Sequence, residues 1–261
     1  MLACTIDGRP CTMAEATIPV TDHGLLYGDG VFEGLRFYNG KVFRLAAHLN
    51  RLEDSARAIA LSLPLSHEAM TQTIQAAIAD SNVNHGYIRL LVTRGSGPLG
   101  IDPSTCSNPR TIVIVDELKM VDPADRARGL KVIIAATRRL SADQFDPRIK
   151  SLNYLNQIMA RIEAQVAGAH EAILLNQAGR VAEGTADNVF IVKRGILMTP
   201  PTTEGALDGI TRSAILEVAA REGIAMREAP LAVFDLYTAD ECFLSGTGAE
   251  LIPVASIGGR A

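Results

Sequence analysis

Lys150 stands in the stretch FDPRIKSLNYLNQ, residues 145–157, as the only basic residue between Ile149 and Met159. Small, amide and aromatic residues follow it, and then an apolar run with helical spacing. A lysine held out of bulk water is a nucleophile toward aldehydes and forms a Schiff base with them. Taken alone, the same residue is more commonly a solvated surface lysine. Glu183, in AEGTADNVF (182–190), sits just before a strand-like run. An acid there can pair with a protonated ring nitrogen, or can be an ordinary turn carboxylate. In DGITRSAIL (208–216), Gly, Ile and Thr open a helix whose unpaired N–H groups and dipole would bind an anion. The alternative is a capped helix with Asp208 as N-cap. LSGTGAE (244–250) is a Gly-flanked loop after a strand, able to cradle phosphate or carboxylate or to serve as a tight turn.

Two arginines extend the set. At 100° per residue, Arg51 falls off the Leu45, Leu49, Leu52 stripe of its helix. It is therefore either solvated or an anion ligand reaching from the helix. Arg89 shares a strand face with Tyr87, Leu91 and Thr93. A charge among such neighbours needs a partner, either a structural or a substrate carboxylate. YGDGVFEG (27–34) is glycine-rich but lacks the GxGxxG spacing of a dinucleotide fold. His23, His48, His67, His85 and His170 show no metal-ligand spacing. Pyridoxal phosphate would unite these signals, because it needs a lysine for its aldehyde, an acid for its ring nitrogen and a cradle for its phosphate.

The elements that must position these residues alternate between strand and helix. Asp7-Gly8 and Asn39-Gly40 each lie between strand-like runs, a hairpin signal. Residues 45–63 carry helical 4, 3, 4, 3 spacing, and Met70, Ile74, Ala77 and Ile78 repeat it. YIRLLVT (87–93) and RTIVIVD (110–116) read as strands, the second apolar enough for burial on both faces. ELKMVDPADRARG (117–129) is charged and contains Pro, the best linker. Beyond it come strand LKVIIAAT, the lysine segment, a helix near 152–167, strand AILLN and the hairpin NVFIVKRGILMT turning at Arg194-Gly195. A helix near 210–222 stops at Gly223, and strands ECFLS and LIPVASI finish the chain. The pattern is α/β with two domains: a smaller one over residues 1–118, a linker at 119–127, and a larger one over 128–261.

Composition sets the outer bounds. The chain has 261 residues with 48% hydrophobic types, enough for two cores, and no Trp, so those cores are aliphatic. A net charge of −4 argues against nucleic-acid binding. Cys4, Cys11, Cys106 and Cys242 form no CxxC pair. The N-terminal MLACTIDGRPC does not read as a signal peptide, and apolar runs are too short to cross a membrane. A soluble cytoplasmic protein is expected.

From about Asp22 to Arg260 the sequence resembles the class IV pyridoxal-phosphate aminotransferases, fold type IV. The carriers are DHGLLYGDGVFEGLRFYNGKVFRLAAHLNRL, YIRLLVTRGSGPLGIDP, KSLNYLNQIMARIEA, EAILLNQAGRVAEGTADNVF, LDGITRSAI and LYTADECFLSGTGAELIPV. Together and in this order they are most like the branched-chain-amino-acid aminotransferases. The resemblance implies pyridoxal 5′-phosphate as cofactor. It implies amino transfer from L-leucine, L-isoleucine or L-valine to 2-oxoglutarate. It implies a larger domain that is barrel-like, and at least a homodimer. Lys150 is similar to the Schiff-base lysine, Glu183 to the partner of the pyridine nitrogen and Arg51 to the phosphate ligand. Ile210, Thr211 and Thr247 would add donors, and Tyr154 resembles the tyrosine near the phenolic oxygen. Tyr27, Phe32 and Tyr87 resemble the wall around a branched side chain. Arg89 resembles the arginine that meets a distal carboxylate, and the Gly246-Thr247-Gly248 turn would bind the α-carboxylate. Gly248 replaces a common Ala and implies a more mobile loop. The family pattern usually continues past VASIGGR into a Gly-rich turn and a final helix, whereas this sequence stops at Ala261; either the chain is truncated or a tail is omitted, and a true absence would uncover some core at the domain edge. On the same scaffold, a D-amino-acid aminotransferase or an aminodeoxychorismate lyase is the alternative, and a non-catalytic cofactor carrier is a third.

Overall fold

Asp7-Gly8 and Asn39-Gly40 both adopt positive φ, 53° and 76° at the first turn and 52° and 71° at the second. That is the two-residue turn whose twist matches paired strands. It joins β1 (Ala3–Ile6) to β2 (Arg9–Pro10), and β3 (Gly30–Tyr38) to β4 (Lys41–Val42). The computed structural model describes residues 2–12, 14–117 and 122–261. They divide into two compact units, Met1–Leu118 with Ile149–Asn153, and Lys119–Arg148 with Tyr154–Ala261.

In the first unit, α1 (His23–Tyr27) precedes β3, and α2 (Leu45–Ala58) and α3 (His67–Ser81) follow β4. β5 (His85–Thr93) and β6 (Arg110–Asp116) complete a sheet of order β2-β1-β6-β5-β3-β4, antiparallel throughout. Val31, Leu35 and Phe37 of β3 pack with Leu49, Leu52 and Met70 of the helices, because the helical stripe and the strand alternation present matching apolar faces. α2 ends at Ala58, earlier than its apolar spacing suggests, because Ala60 turns left-handed at φ 51°. The carbonyls just past its end are covered by Arg94, which donates to Ile59 O and Ala60 O at 2.7 Å and pairs with Asp29 at 2.9 Å. β6 corrects the expectation of burial on both faces. Thr111, Val113 and Val115 are buried, whereas the residues between them are only half-buried.

Ile149–Asn153 lies inside the expected large domain but clusters with the first unit. Phe32 N donates to Lys150 O at 3.0 Å, and Leu152 N donates to Gly30 O at 3.0 Å. This short stretch therefore extends the edge of β3.

The second unit holds α4 (Pro123–Arg128), β7 (Leu130–Ile134), α5 (Ala142–Phe145), α6 (Leu155–Val166), β8 (Glu171–Leu175) and β9 (Val181–Gly184). Then follow β10 (Asn188–Lys193), β11 (Ile196–Thr199), α7 (Ile210–Arg221), β12 (Met226–Glu228), α8 (Val233–Tyr237), β13 (Glu241–Gly246) and β14 (Glu250–Ile257). The expected linker loses its second half to α4, whose N-cap Asp122 accepts from Ala124 N at 2.8 Å. Residues 119–121 of that linker lie outside the described residues. The sheet order is β12-β11-β10-β13-β14-β7-β8-β9. β7 and β8 are parallel and joined through α6, and β11 and β12 are parallel and joined through α7, each a crossover a helix can span. Ile173, Val189, Ile191 and Leu244 form the core under this sheet. Among the described residues no helix is long and apolar enough to cross a membrane.

Phe37 is fully buried, and its ring would lie 2.6 Å from a Cβ added to Gly86. Phe37→Ala is expected to destabilise the first unit by about 3–5 kcal/mol. Urea unfolding followed by circular dichroism checks this, and a loss under about 1 kcal/mol would contradict the packing described.

Candidate active site

Strand register decides which side chains of the first unit meet. Arg89 pairs with Gly34 across β5 and β3, and Tyr87 pairs with Arg36. Phe32, Tyr87 and Arg89 therefore share one sheet face. The Arg89 guanidinium lies 4.6 Å from the Phe32 ring centroid and 5.5 Å from that of Tyr87. No carboxylate among the described residues pairs with Arg89. Lys150 Nζ lies over the same Phe32 ring, 4.6 Å from its centroid. Phe32 itself is 5% exposed. Gly34 is required here, because a Cβ would collide with the Tyr87 hydroxyl. The lysine backbone is anchored too, since Lys150 N donates to Ser55 Oγ of α2 at 3.1 Å.

Arg51 lies one turn before Ser55. It is not a solvated face residue: its side chain is 12% exposed, and it donates through Nε and Nη2 to the two oxygens of Glu33, each at 2.7 Å. Glu33 is fully buried on the opposite sheet face from Phe32. His48 Nδ1 contributes a third contact, 2.7 Å from Glu33 Oε2. Burial pushes the Glu33 carboxyl up, but the Arg51 charge and the hydrogen bonds from His48 and Arg51 outweigh it and hold the carboxyl at about 2. A bidentate fork on a buried anion leaves the guanidinium little freedom. Tyr27 stands apart from this group: it is 38% exposed and its hydroxyl donates to Leu99 O at 2.5 Å.

The second unit holds the remaining candidates, among them Glu183 of β9. This carboxylate is 5% exposed. Arg139 Nε donates to its Oε1 and Leu207 N to its Oε2, both at 2.9 Å. Leu207 leads directly into α7. The N-cap there is Gly209 rather than Asp208, and no side chain caps the helix. Gly209 is imposed by Asn188, whose Oδ1 would collide with a Cβ and whose Nδ2 donates to Leu207 O at 3.0 Å. Asp208 therefore does not close the helix start, and Ile210 and Thr211 occupy its first turn with the donors an anion needs. Thr247 and Gly248 sit in the turn between β13 and β14. Asp187 packs against that turn, its carboxylate filling the space a Gly246 Cβ would need. Tyr154 is the N-cap of α6, half-buried.

Glu33, His48, Ser55, Arg139 and Asn188 escaped the sequence reading. Glu33 carried a usable signal, because it shares a strand face with Val31 and Leu35, the same pattern that drew attention to Arg89. Arg139 carried none, since it lies in a polar segment after β7.

These residues suit pyridoxal phosphate chemically: an amine against an aromatic ring, a buried carboxylate with a fixed counter-ion, and an uncapped helix start with Thr211 in its first turn. A family model for the amino-transferases of class IV matches residues 30–257. A putative branched-chain-amino-acid aminotransferase of Methanocaldococcus jannaschii is 46% identical over 98% of this chain and 88% of its own length. A D-alanine aminotransferase of Listeria monocytogenes is 36% identical over 94% of this chain and 84% of its own. The crystal structure of a branched-chain amino acid aminotransferase from Thermobaculum terrenum in its PLP form superimposes with TM-score 0.86 at 30% identity, covering 98% of this chain and 86% of that one. The mixed α/β architecture expected from the sequence is thus that of fold type IV.

The depressed Glu33 carboxyl yields a pH prediction. Its ion pairs contribute stability that is fully present above about pH 4.5 and lost as pH falls through about 2. Glu33→Gln should be less stable than wild type by roughly 3 kcal/mol above about pH 5. That gap should close as pH falls from about 4.5 toward 2 in thermal unfolding. A gap independent of pH would contradict the pairing.

Proposed function

The chain belongs to the amino-transferase class IV family, and on that premise we propose that it moves the amino group of L-leucine, L-isoleucine or L-valine to 2-oxoglutarate, giving branched 2-oxo acids and L-glutamate. The observation that carries this reading is Arg89 stacked on Phe32, the ring that also lies under Lys150 Nζ. A cation without a protein carboxylate partner among the described residues, set in an aromatic wall, suits a substrate that is aliphatic in one half-reaction and has a distal carboxylate in the other. The guanidinium can rest on the rings when the substrate is apolar and engage a carboxylate when one arrives.

Pyridoxal 5′-phosphate, when bound, supplies an aldehyde for the lysine amine and a ring that takes up the electron pair left when the substrate α-proton departs. Lys150 Nζ is the group that would hold the cofactor and move the proton. Glu183 would pair with the ring nitrogen and favour its protonated form. Arg51, Ile210 and Thr211 at the start of α7, and Thr247 would be the phosphate ligands, and Tyr154 would serve the phenolic oxygen. Thr247 and Gly248 offer donors to the α-carboxylate, and Tyr27, Phe32 and Tyr87 wall the side chain.

The protein works in the cytoplasm as a homodimer. Leu155, Ile158, Met159 and Ile162 form an exposed apolar stripe on α6, 44–75% accessible, which suits burial against a second copy. Light scattering should give a mass of at least a dimer. The likeness to a D-alanine aminotransferase keeps D-amino-acid transfer as a second reading; assays with L-leucine against D-leucine and D-alanine separate the two.

Lys150→Ala is expected to abolish amino transfer while leaving the circular dichroism spectrum unchanged; retained turnover would refute its role. Arg89→Ala should raise KM for 2-oxoglutarate roughly 10- to 100-fold, the loss of one charge-assisted contact, and change KM for L-leucine less than about 3-fold. Equal losses on both would make Arg89 structural.

A further inference from the structure

We propose that Arg139 is the positioning residue that keeps Glu183 charged and aimed, and so sets how firmly the ring nitrogen of the bound cofactor holds its proton. This rests on the reading that Glu183 is the partner of that nitrogen.

Arg139 is 6% exposed and its backbone is pinned, with its N–H donating to Leu175 O at 2.9 Å. Leu175 follows Leu174, the residue paired with Glu183 across β8 and β9. Main chain and side chain thus fasten Arg139 to the same short ladder that carries the carboxylate. Nε donates to Glu183 Oε1 at 2.9 Å. The rest of the guanidinium turns to α6: Nη1 lies 3.4 Å from Asn156 Oδ1, and Gln157 Oε1, in the amide orientation that satisfies both groups, accepts from Nη1 at 3.0 Å and Nη2 at 3.3 Å. Asn156 returns the tie through Nδ2 to Arg138 O at 2.8 Å. The planar fork is therefore fixed at both ends, which a lysine could not reproduce.

The chemistry follows from burial. A carboxylate taken from water without a counter-ion relieves its charge by taking up a proton. Were Glu183 neutral, it could no longer hold a proton on the ring nitrogen, and the ring would lose the positive charge that makes it an electron acceptor. Leu207 N supplies a dipole to Glu183, whereas Arg139 supplies a full charge. The same guanidinium braces Asn156 and Gln157 in the first turn of α6, directly after its N-cap Tyr154.

The test is nitrogen-15 NMR of holoenzyme reconstituted with ring-labelled pyridoxal phosphate, titrated with pH. The chemical shift reports ring protonation directly, which a merely structural ion pair would leave unmoved. The pH at which the ring nitrogen loses its proton should fall in the order wild type, R139K, R139Q, with E183Q at or below R139Q. R139Q should hold its proton at least about tenfold less favourably than wild type, a drop of about one pH unit or more. A wild-type titration in E183Q would overturn the Glu183 reading itself. A shifted E183Q beside an unshifted R139Q would overturn the role given to Arg139 alone. Should R139Q fail to fold, R139K carries the test: a midpoint between wild type and E183Q supports the proposal, and one equal to wild type overturns it.

Discussion

Glu33 and Glu183 are carboxylates with almost no water to solvate them, and a bare ion in such surroundings costs several kcal/mol. Each must be answered by an opposite charge, and both units are built around that requirement. Glu33 is answered by Arg51 and His48, and Glu183 by Arg139. In both pairs the group assigned to the cofactor is gripped by a second residue that sits deeper or is equally buried. The fork geometry of arginine then turns charge compensation into orientation. Arg89 departs from the pattern. It rests on two aromatic rings instead of a carboxylate, which fits the substrate role proposed for it.

The fold makes these pairs by simple periodicities. Period two along β3 sends Glu33 toward the helices and Phe32 to the other face, so one strand supplies both an electrostatic anchor and an aromatic floor. The turn spacing of α2 lines up Arg51 with Ser55, so the helix that receives Glu33 also holds the backbone of Lys150. In the second unit the pairing of β8 with β9 sets Glu183 beside the backbone of Arg139. The segment from Leu207 to Gly209 then joins the carboxylate to the uncapped start of α7.

Much of this was legible from residue order. Asp-Gly and Asn-Gly announced the hairpins because few other pairs accept two left-handed residues. The apolar spacing of α2 and α3 announced helices because core burial selects it. Lys150, Glu183 and the α7 start could be picked out by residue type as candidates for one cofactor, and the roles proposed for them came from the family resemblance. What stayed hidden was tertiary. Nothing local marks Arg139 as a counter-ion, since its partner lies 44 residues away. The alternation of β6 was masked because apolar residues occupy both of its faces. Ile149–Asn153 joined the first unit through backbone bonds to β3, which composition cannot report.

The attachment of pyridoxal phosphate to Lys150 is read most directly by borohydride reduction of the holoenzyme. Digestion and mass spectrometry then find the lysine that retains the phosphopyridoxyl group. The group is expected on the peptide containing Lys150, and its loss from that peptide is expected when L-leucine is added before reduction. Attachment at Lys41, Lys119, Lys131 or Lys193, or no attachment at all, would contradict the role given to Lys150.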